Sequence, residues 1–422
     1  MSMIEASARG ANPLATPAQL QAERAMLRIE RGPAVQSARE ALRRMLCDDP
    51  AAATLDGAAS LDRALDQWIR FYTLNQLSQD LDAPALLWIA DNTPRRWFGH
   101  VFPGDFIAGD NPDNTNRSTF IDGASSYALV GRFNLPKAGQ FSINMEIADP
   151  IGIGLGQHLA TLTDKDLQVD DDGSFTVTID GSPAGERRNH MQSKPGLLTL
   201  TTRDSRSDWK QRPATLSLRL LSGAGTTRLA EEERIDAIVA GLPGFVDRWR
   251  RFKDGFFGYP EPNEVVMPKR RESEGGWGFQ GGGRFRLEED EALIITTEDG
   301  GADYTGFQIT DPWTLRPETV LRTTSLNKTQ ALANPDGSTT YVVALQDPGV
   351  ANWLDTGGLR EGWLQLRWQN VPAGGVPAVR GIEQVKLGDL ESRLGKDVPR
   401  ADLDYRRRQV RARVEEMALR TA

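Results

Sequence analysis

Cysteine is almost missing from this sequence: Cys47 is the single one in 422 residues. That excludes an intrachain disulfide and any zinc site built on thiolates. Histidine is nearly as rare. His100, His158 and His190 stand far apart and in no metal-ligand spacing, so neither a metal nor a cofactor is expected. No run of about 18 apolar residues occurs, which argues against a membrane span. The first twenty residues lack the apolar stretch of a signal peptide, so the expected compartment is the cytoplasm. Asn116 and Asn327 begin glycosylation-type triplets, which carry no weight without secretion. Lysine is scarce too, nine against 41 arginines, and a GC-rich coding sequence accounts for that more simply than an anion site. The net charge of −8 gives the chain no reason to seek nucleic acid or an anionic membrane.

Several catalytic fingerprints are also absent. No G-x-S-x-G elbow supports a serine hydrolase. Gly276-Trp-Gly278-Phe-Gln-Gly281 matches G-x-G-x-x-G, but a glycine run and a strand-like segment follow it. A dinucleotide site needs a helix there, whose first amides hold the pyrophosphate, so this stretch reads as a turn or lid. Asp110, Asp113 and Asp122 lack the order of a calcium loop and read as turn builders.

What is present is an ordinary globular composition, with helices at the ends and strands between. Residues 17–47 read as a helix, with Thr16 as cap, Pro17 at the first position and Gln19 completing a capping box. Leu61 to Leu81 reads as a second, capped by Ser60, and residues 85–90 continue the apolar helical region. Short strands and turns follow from about residue 104. A helical interlude covers 230–240 and 245–252, broken at Pro243. The Arg- and Glu-rich tail from Arg400 reads as a closing amphipathic helix.

The most informative pattern is an internal repeat. Asp172-Gly-Ser174 opens a segment ending at Arg203, and Asp336-Gly-Ser338 opens one of equal length ending at Arg367. The same 164-residue offset sets Phe141-Ser-Ile143 against Thr305-Gly-Phe307. A period this long signals a duplicated domain rather than a solenoid. The expected class is α+β: duplicated antiparallel β-sandwich modules with a helical N-terminal region and a C-terminal helix. The expected division is a helical region over 1–103, a first sandwich over 104–225, a helical interlude with a glycine-rich loop over 226–283, a second sandwich over 284–372 and a helical tail over 373–422. Duplicated halves often leave a ligand cleft where they meet.

Two segments are denser than a scaffold needs: Gly109-Asp-Asn-Pro-Asp-Asn114 with Ile121-Asp-Gly123 and Tyr127, and Asp347-Pro-Gly349 with Asn352-Trp-Leu-Asp-Thr356, closing on Arg367-Trp368. Turn building accounts for most of them, with Trp353 expected to plug the sandwich. These motifs resemble a bacterial family, abundant in actinobacteria and sphingomonads, catalogued as a conserved domain of unknown function. The likeness covers roughly 104–370. The first half departs from it: Asn116 stands where an aromatic is expected, and Arg188-Asn189-His190 replaces Asn352-Trp353. Such proteins are similar to the cofactor-free lyases of sphingomonad lignin-dimer catabolism. These remove the γ-carbon of a phenylcoumaran, as formaldehyde or carbon dioxide, and leave a stilbene.

The resemblance implies a base, a cation for the departing phenolate and an aromatic pocket. The candidates for the base are His190, His100 and Tyr259, and those for the cation are Arg203 and Arg367. Trp97, Trp209 and Trp277 are candidate aromatic walls, with His100, Tyr127 and Asn189 as further substrate contacts. The expected partner is a small aromatic substrate, with a homodimer allowed. Two other readings stay open: a non-catalytic binder of an apolar or aromatic small molecule, and a structural protein using the Arg/Glu tail as its contact.

Overall fold

The computed structural model describes residues 12–109, 111–149, 156–223, 229–256, 261–270 and 278–421. The N-terminal region holds helices α1 (Pro17–Glu30), α2 (Pro33–Leu46) and α3 (Leu55–Leu77). The expected single first helix is split where Gly32 ends one segment and Pro33 starts the next, since proline has no amide to continue the ladder. Thr16 does cap α1, accepting from the Gln19 amide. The Gln19 side chain does not close a capping box; it donates to Glu23 and to the Trp88 carbonyl. Thr54, not Ser60, caps α3.

The strands follow in chain order: β1 (Leu87–Ile89), β2 (Arg95–Trp97), β3 (His100–Phe102), β4 (Asn114–Asp122), β5 (Ser126–Arg132), β6 (Gln140–Ile147), β7 (His158–Thr163), β8 (Ser174–Asp180), β9 (His190–Gln192), β10 (Leu197–Ser205) and β11 (Thr215–Ser222). Residues 87–89, expected to be helical, are instead an edge strand paired with β4. A three-residue apolar segment fits either state, and the neighbouring strand decides. Helix α4 (Glu231–Phe256) then runs unbroken through Pro243, because Ile238, Leu242, Phe245 and Val246 bury one face against α3 and outweigh the lost bond.

A second series comprises β12 (Val265–Arg270), β13 (Phe279–Arg286), β14 (Glu291–Glu298), β15 (Tyr304–Thr310), β16 (Ser325–Asn327), β17 (Thr339–Ala344), β18 (Trp353–Asp355), β19 (Glu361–Gln369) and β20 (Ala378–Lys386). Helices α5 (Leu390–Arg393) and α6 (Leu403–Ala418) close the chain. Module 2 therefore starts before residue 284 and ends beyond 372. The glycines at 281–283 lie inside β13 rather than in a turn or lid. A Cβ on Gly283 would sit 1.9 Å from the Glu264 carbonyl oxygen, so β12 packs too closely for any side chain there.

The duplication is matched strand for strand. One module pairs the sheets β1-β4-β10-β6-β7 and β11-β5-β8-β9; the other pairs β12-β13-β19-β15-β16 and β20-β14-β17-β18. In both, the last pair of the four-stranded sheet is parallel, β8 with β9 and β17 with β18. Each sandwich closes over its own core, around Ile121, Leu129, Phe141 and Val177 in module 1 and Leu293, Phe307, Leu364 and Trp368 in module 2. Reciprocal contacts join the modules. The Asn370 amide donates to the Gly139 carbonyl, and the Ser207 hydroxyl donates to the carbonyl of Asp303, the residue equivalent to Gly139. No helix among the described residues is long and apolar enough to cross a membrane.

Candidate functional site

Alternate residues of a strand face opposite sides of its sheet. In both five-stranded sheets the outward set combines polar residues with buried apolar ones, among them Phe120, Leu87 and Ile89 on module 1, and it is largely covered. In module 1, Asn116, Arg203 and Ser142 form one cross-strand row, with Ser118, Thr201 and Asn144 beside it. In module 2 the equivalent rows are Gln280, Arg367 and Gly306, then Gly282, Gln365 and Gln308. The two arginines singled out in the sequence thus occupy the same lattice point of the duplicated sheet.

The module 2 face carries part of the chain itself. The Gly109 carbonyl accepts from Arg367 and from Gln308, each at 3.0 Å. Gly109 has φ +63°, and a Cβ there would lie 1.8 Å from Gln365 Nε2, so only glycine lets the backbone come this near. Four residues on, the Asp113 carboxylate lies over Gly306, where it accepts from Trp209 Nε1 (2.7 Å), Tyr304 Oη (2.8 Å) and Asn327 Nδ2 (3.2 Å). Asn111 donates in turn to the Tyr304 hydroxyl. Burial pushes the Asp113 carboxyl up, while the three donors oppose it. Burial likewise holds the Tyr304 phenol well above its usual range, with the Asp113 charge adding to the effect. Tyr304 is therefore a donor and not a base.

On the module 1 face, Arg203 Nε donates to Asn116 Oδ1 at 2.8 Å. Both faces hold polar atoms that no described residue satisfies: Thr199 Oγ1 and Ser205 Oγ in module 1, and Gln365 Nε2, Thr310 Oγ1 and both amide atoms of Gln369 in module 2. Each of these residues is at most 3% exposed. A buried polar atom left unmatched costs about 1–3 kcal/mol, so each is a place where a polar partner would be favourable; further such atoms lie elsewhere, at Gln67, Thr73 and Asn75 in α3.

The other residues expected at a site are dispersed. His190 lies on β9 of the four-stranded sheet, on the other side of the module 1 core from the face that bears Arg203. It meets the Thr178 hydroxyl through Nδ1 and the Ser182 carbonyl through Nε2, each at 2.8 Å, and so braces a turn. Asn189 accepts from the Gln168 amide and donates to the Gln168 carbonyl; Asn352 does the same with Leu332 in module 2. The altered turn is thus the same clamp in both halves and not a gained site. Tyr127 is buried in the module 1 sandwich, where its hydroxyl accepts from the Asp122 amide. His100 and Trp97 belong to the N-terminal region, where both contact Glu23 at 2.6 and 2.8 Å beside Arg95. The several donors around Glu23 hold its carboxyl below the usual value although burial acts the other way. Trp209 serves Asp113. Trp353 does not plug a sandwich: it lies on the outer face of β17 and β18 under Arg406. Tyr259 and Trp277 lie outside the described residues.

Sequence reasoning singled out Arg203 and Arg367 but not their neighbours Ser142, Asn144, Gln308 and Gln365. The signal was present as the alternation Ser142-Ile-Asn144-Met. It reads the same whether the polar side meets solvent or a covered cleft.

Comparison with known proteins bears on the fold. No family model matches the chain, and no curated protein does. A crystal structure of an uncharacterised protein from Burkholderia cenocepacia superposes with a TM-score of 0.66 at 22% identity, covering 88% of this chain and 95% of that one. At that identity the likeness is one of fold alone. A Vibrio parahaemolyticus protein aligns over 65% of this chain and 90% of its own, at 9% identity and a TM-score of 0.38, too low to inform the fold.

Proposed function

We propose that the protein binds a small, hydrogen-bonding organic molecule on the arginine-bearing outer faces of its duplicated five-stranded sheets. The observation that carries this reading is the set of covered, unmatched amides and hydroxyls around equivalent arginines. A polar layer buried this far is stable only when its hydrogen bonds are completed. Thermal unfolding in the presence of a panel of small polar acids, amides, polyols and phenols tests it. A ligand that raises the melting temperature in a saturable way, and loses this effect in Arg203→Met or Arg367→Met, supports the reading. A panel without any effect removes it.

A carbon–carbon lyase acting on a lignin-derived phenylcoumaran is a second reading. What favours it is that both arginines assigned to the phenolate lie on this kind of polar face. His190 is not its base, because a whole sandwich core separates it from Arg203. The described face is also lined by amides and hydroxyls more than by the aromatic walls that two rings require. Incubation with phenylcoumaran alcohols and acids, followed by stilbene absorbance, decides it: a rise in absorbance supports the lyase, and unchanged compounds leave binding alone.

A further inference from the structure

We infer that a cleft between α1 and the start of α4 binds an uncharged, unbranched aliphatic molecule, of which a long-chain primary alcohol is the simplest. It is a second site and does not rest on the polar sheet faces proposed above. Two observations support it.

The first is the cleft itself. Its volume is about 490 Å³, inside the range of about 300–1,000 Å³ that small-molecule sites occupy. Short side chains keep it open. Ala18, Ala22 and Ala25 follow one another along a single face of α1, and Ala83 and Ala85 line the wall that leads from α3 to β1. An alanine reaches only one carbon from the backbone, so the two walls leave room between them. Ile29, Leu77, Leu87 and Leu229 complete the apolar lining. Leu229 is 45% exposed, and Gln21 and Arg28 are exposed as well, so the cleft opens to solvent. Along α1 the lining from Ala18 to Ile29 spans about 16 Å. Among the described residues no aromatic ring lines it. Rings are held best by the faces and edges of other rings, whereas a narrow wall of methyl groups matches a chain of methylenes.

The second is the state of the charges. The lining carries two cations, Arg28 and Arg234, and two carboxylates, Asp80 and Glu231. Each already has a partner. Arg28 donates to both oxygens of Glu231, at 3.2 and 3.0 Å. Arg234 donates to the Gln76 carbonyl at 2.8 Å, and Asp80 accepts from the Ala83 amide at 3.2 Å. The Ser78 hydroxyl, also in the lining, donates to the Asn75 carbonyl at 2.7 Å. The charges balance, so an ionic ligand meets no waiting counter-charge and would have to displace one of these contacts. An uncharged chain leaves them all in place and gains from burial alone.

Isothermal titration of the full chain with primary alcohols of increasing length tests the inference. Affinity should rise about three- to fourfold per added methylene and then level off once the cleft is full. The alkanoate and the alkylammonium of the same length should each bind about tenfold or more weakly than the alcohol. Ala25→Leu and Ala83→Leu, one on each wall, should each weaken the alcohols about tenfold or more, with the melting temperature kept or raised. Ala83 is exposed and outside any helix, so its variant keeps the test usable if the one in α1 folds poorly. Arg203→Met, on the polar face, should change nothing here. No alcohol binding, binding by either ion as tight as by the alcohol, or full affinity in folded Ala83→Leu overturns the inference and leaves the polar-face reading standing.

Discussion

The two sandwiches share a strand order but fill the same part of their cores in opposite ways. In module 1, Arg117 and Asp204 form an ion pair inside the sandwich at 2.7 Å, each no more than 3% exposed. The equivalent positions in module 2 are Gly281 and Trp368, and the indole packs over the glycine. The pair also holds the approach to β11: Arg117 donates to the Ala214 carbonyl, and the Ala214 amide donates to Asp204. Burial acts against both charges, raising the Asp204 carboxyl and lowering the Arg117 guanidinium, while each partner's charge opposes it. The frame thus accepts either a desolvated ion pair or an aromatic plug, provided the volume is filled, although Arg117 Nε and Trp368 Nε1 have no hydrogen-bond partner among the described residues.

A second difference lies on the four-stranded sheets. Module 2 has an apolar outer face, Ala292, Ile294, Val342 and Ala344, covered by Leu390, Leu394 and Val398 from the end of the chain. On module 1 the register puts Ser126, Ala128, Thr178 and Asp180 at the matching positions, and of these only Ala128 is buried. Only one copy has become a dock for the C-terminal segment.

The comparison breaks most sharply at the ion pair. Arg117→Met should cost about 3–5 kcal/mol in urea unfolding, since Asp204 is left charged and buried. Arg117→Met with Asp204→Leu, which imitates the apolar filling of module 2, should recover most of that loss. A double variant no better than the single one would show that the Ala214 clamp, not the charge, matters. Next comes the cover: Leu394→Ala should cost about 2–4 kcal/mol by opening a cavity on module 2.

Asp311 gives a pH-dependent difference, since its module 1 counterpart is Ile147. Burial pushes the Asp311 carboxyl up to about 6, with Arg63 and the backbone amides of Leu315 and Trp313 opposing. A raised folded value means that the protonated form is stabilised. Its contribution is complete below about pH 4 and is lost as pH rises through 6. Asp311→Asn keeps the turn acceptor without the charge. Its stability relative to the parent should therefore improve by at most about 3 kcal/mol between pH 4 and pH 8. Parallel melting curves at both ends check the sign. The smallest effect is expected at the altered turn: His190→Ala should cost about 1 kcal/mol and leave ligand affinity unchanged. A loss of binding there would restore His190 to the site.

Legibility in the sequence followed the range of the interaction. The turn at Asp336-Gly-Ser338 could be read because Asp336 bonds the Ser338 amide two residues on. Thr16 could be read as a cap for the same reason. The 164-residue repeat exposed the duplication and placed Arg203 opposite Arg367. The strand at 87–89 was not legible, because only β4 makes it one. Nor was the role of Asn189, whose clamp partner Gln168 lies far along the chain.

By itself, then, the sequence determined the α+β class, the helical ends, the doubled sandwich and the pairing of the two arginines. These follow from local periodicity, capping and self-similarity. The tertiary structure alone decided which polar stripes are covered, which core holds ions and which holds tryptophan, and that His190 stands a sandwich away from Arg203. Alternation assigns a residue to a side of its sheet. What lies against that side depends on segments distant in the chain, and no local pattern encodes it.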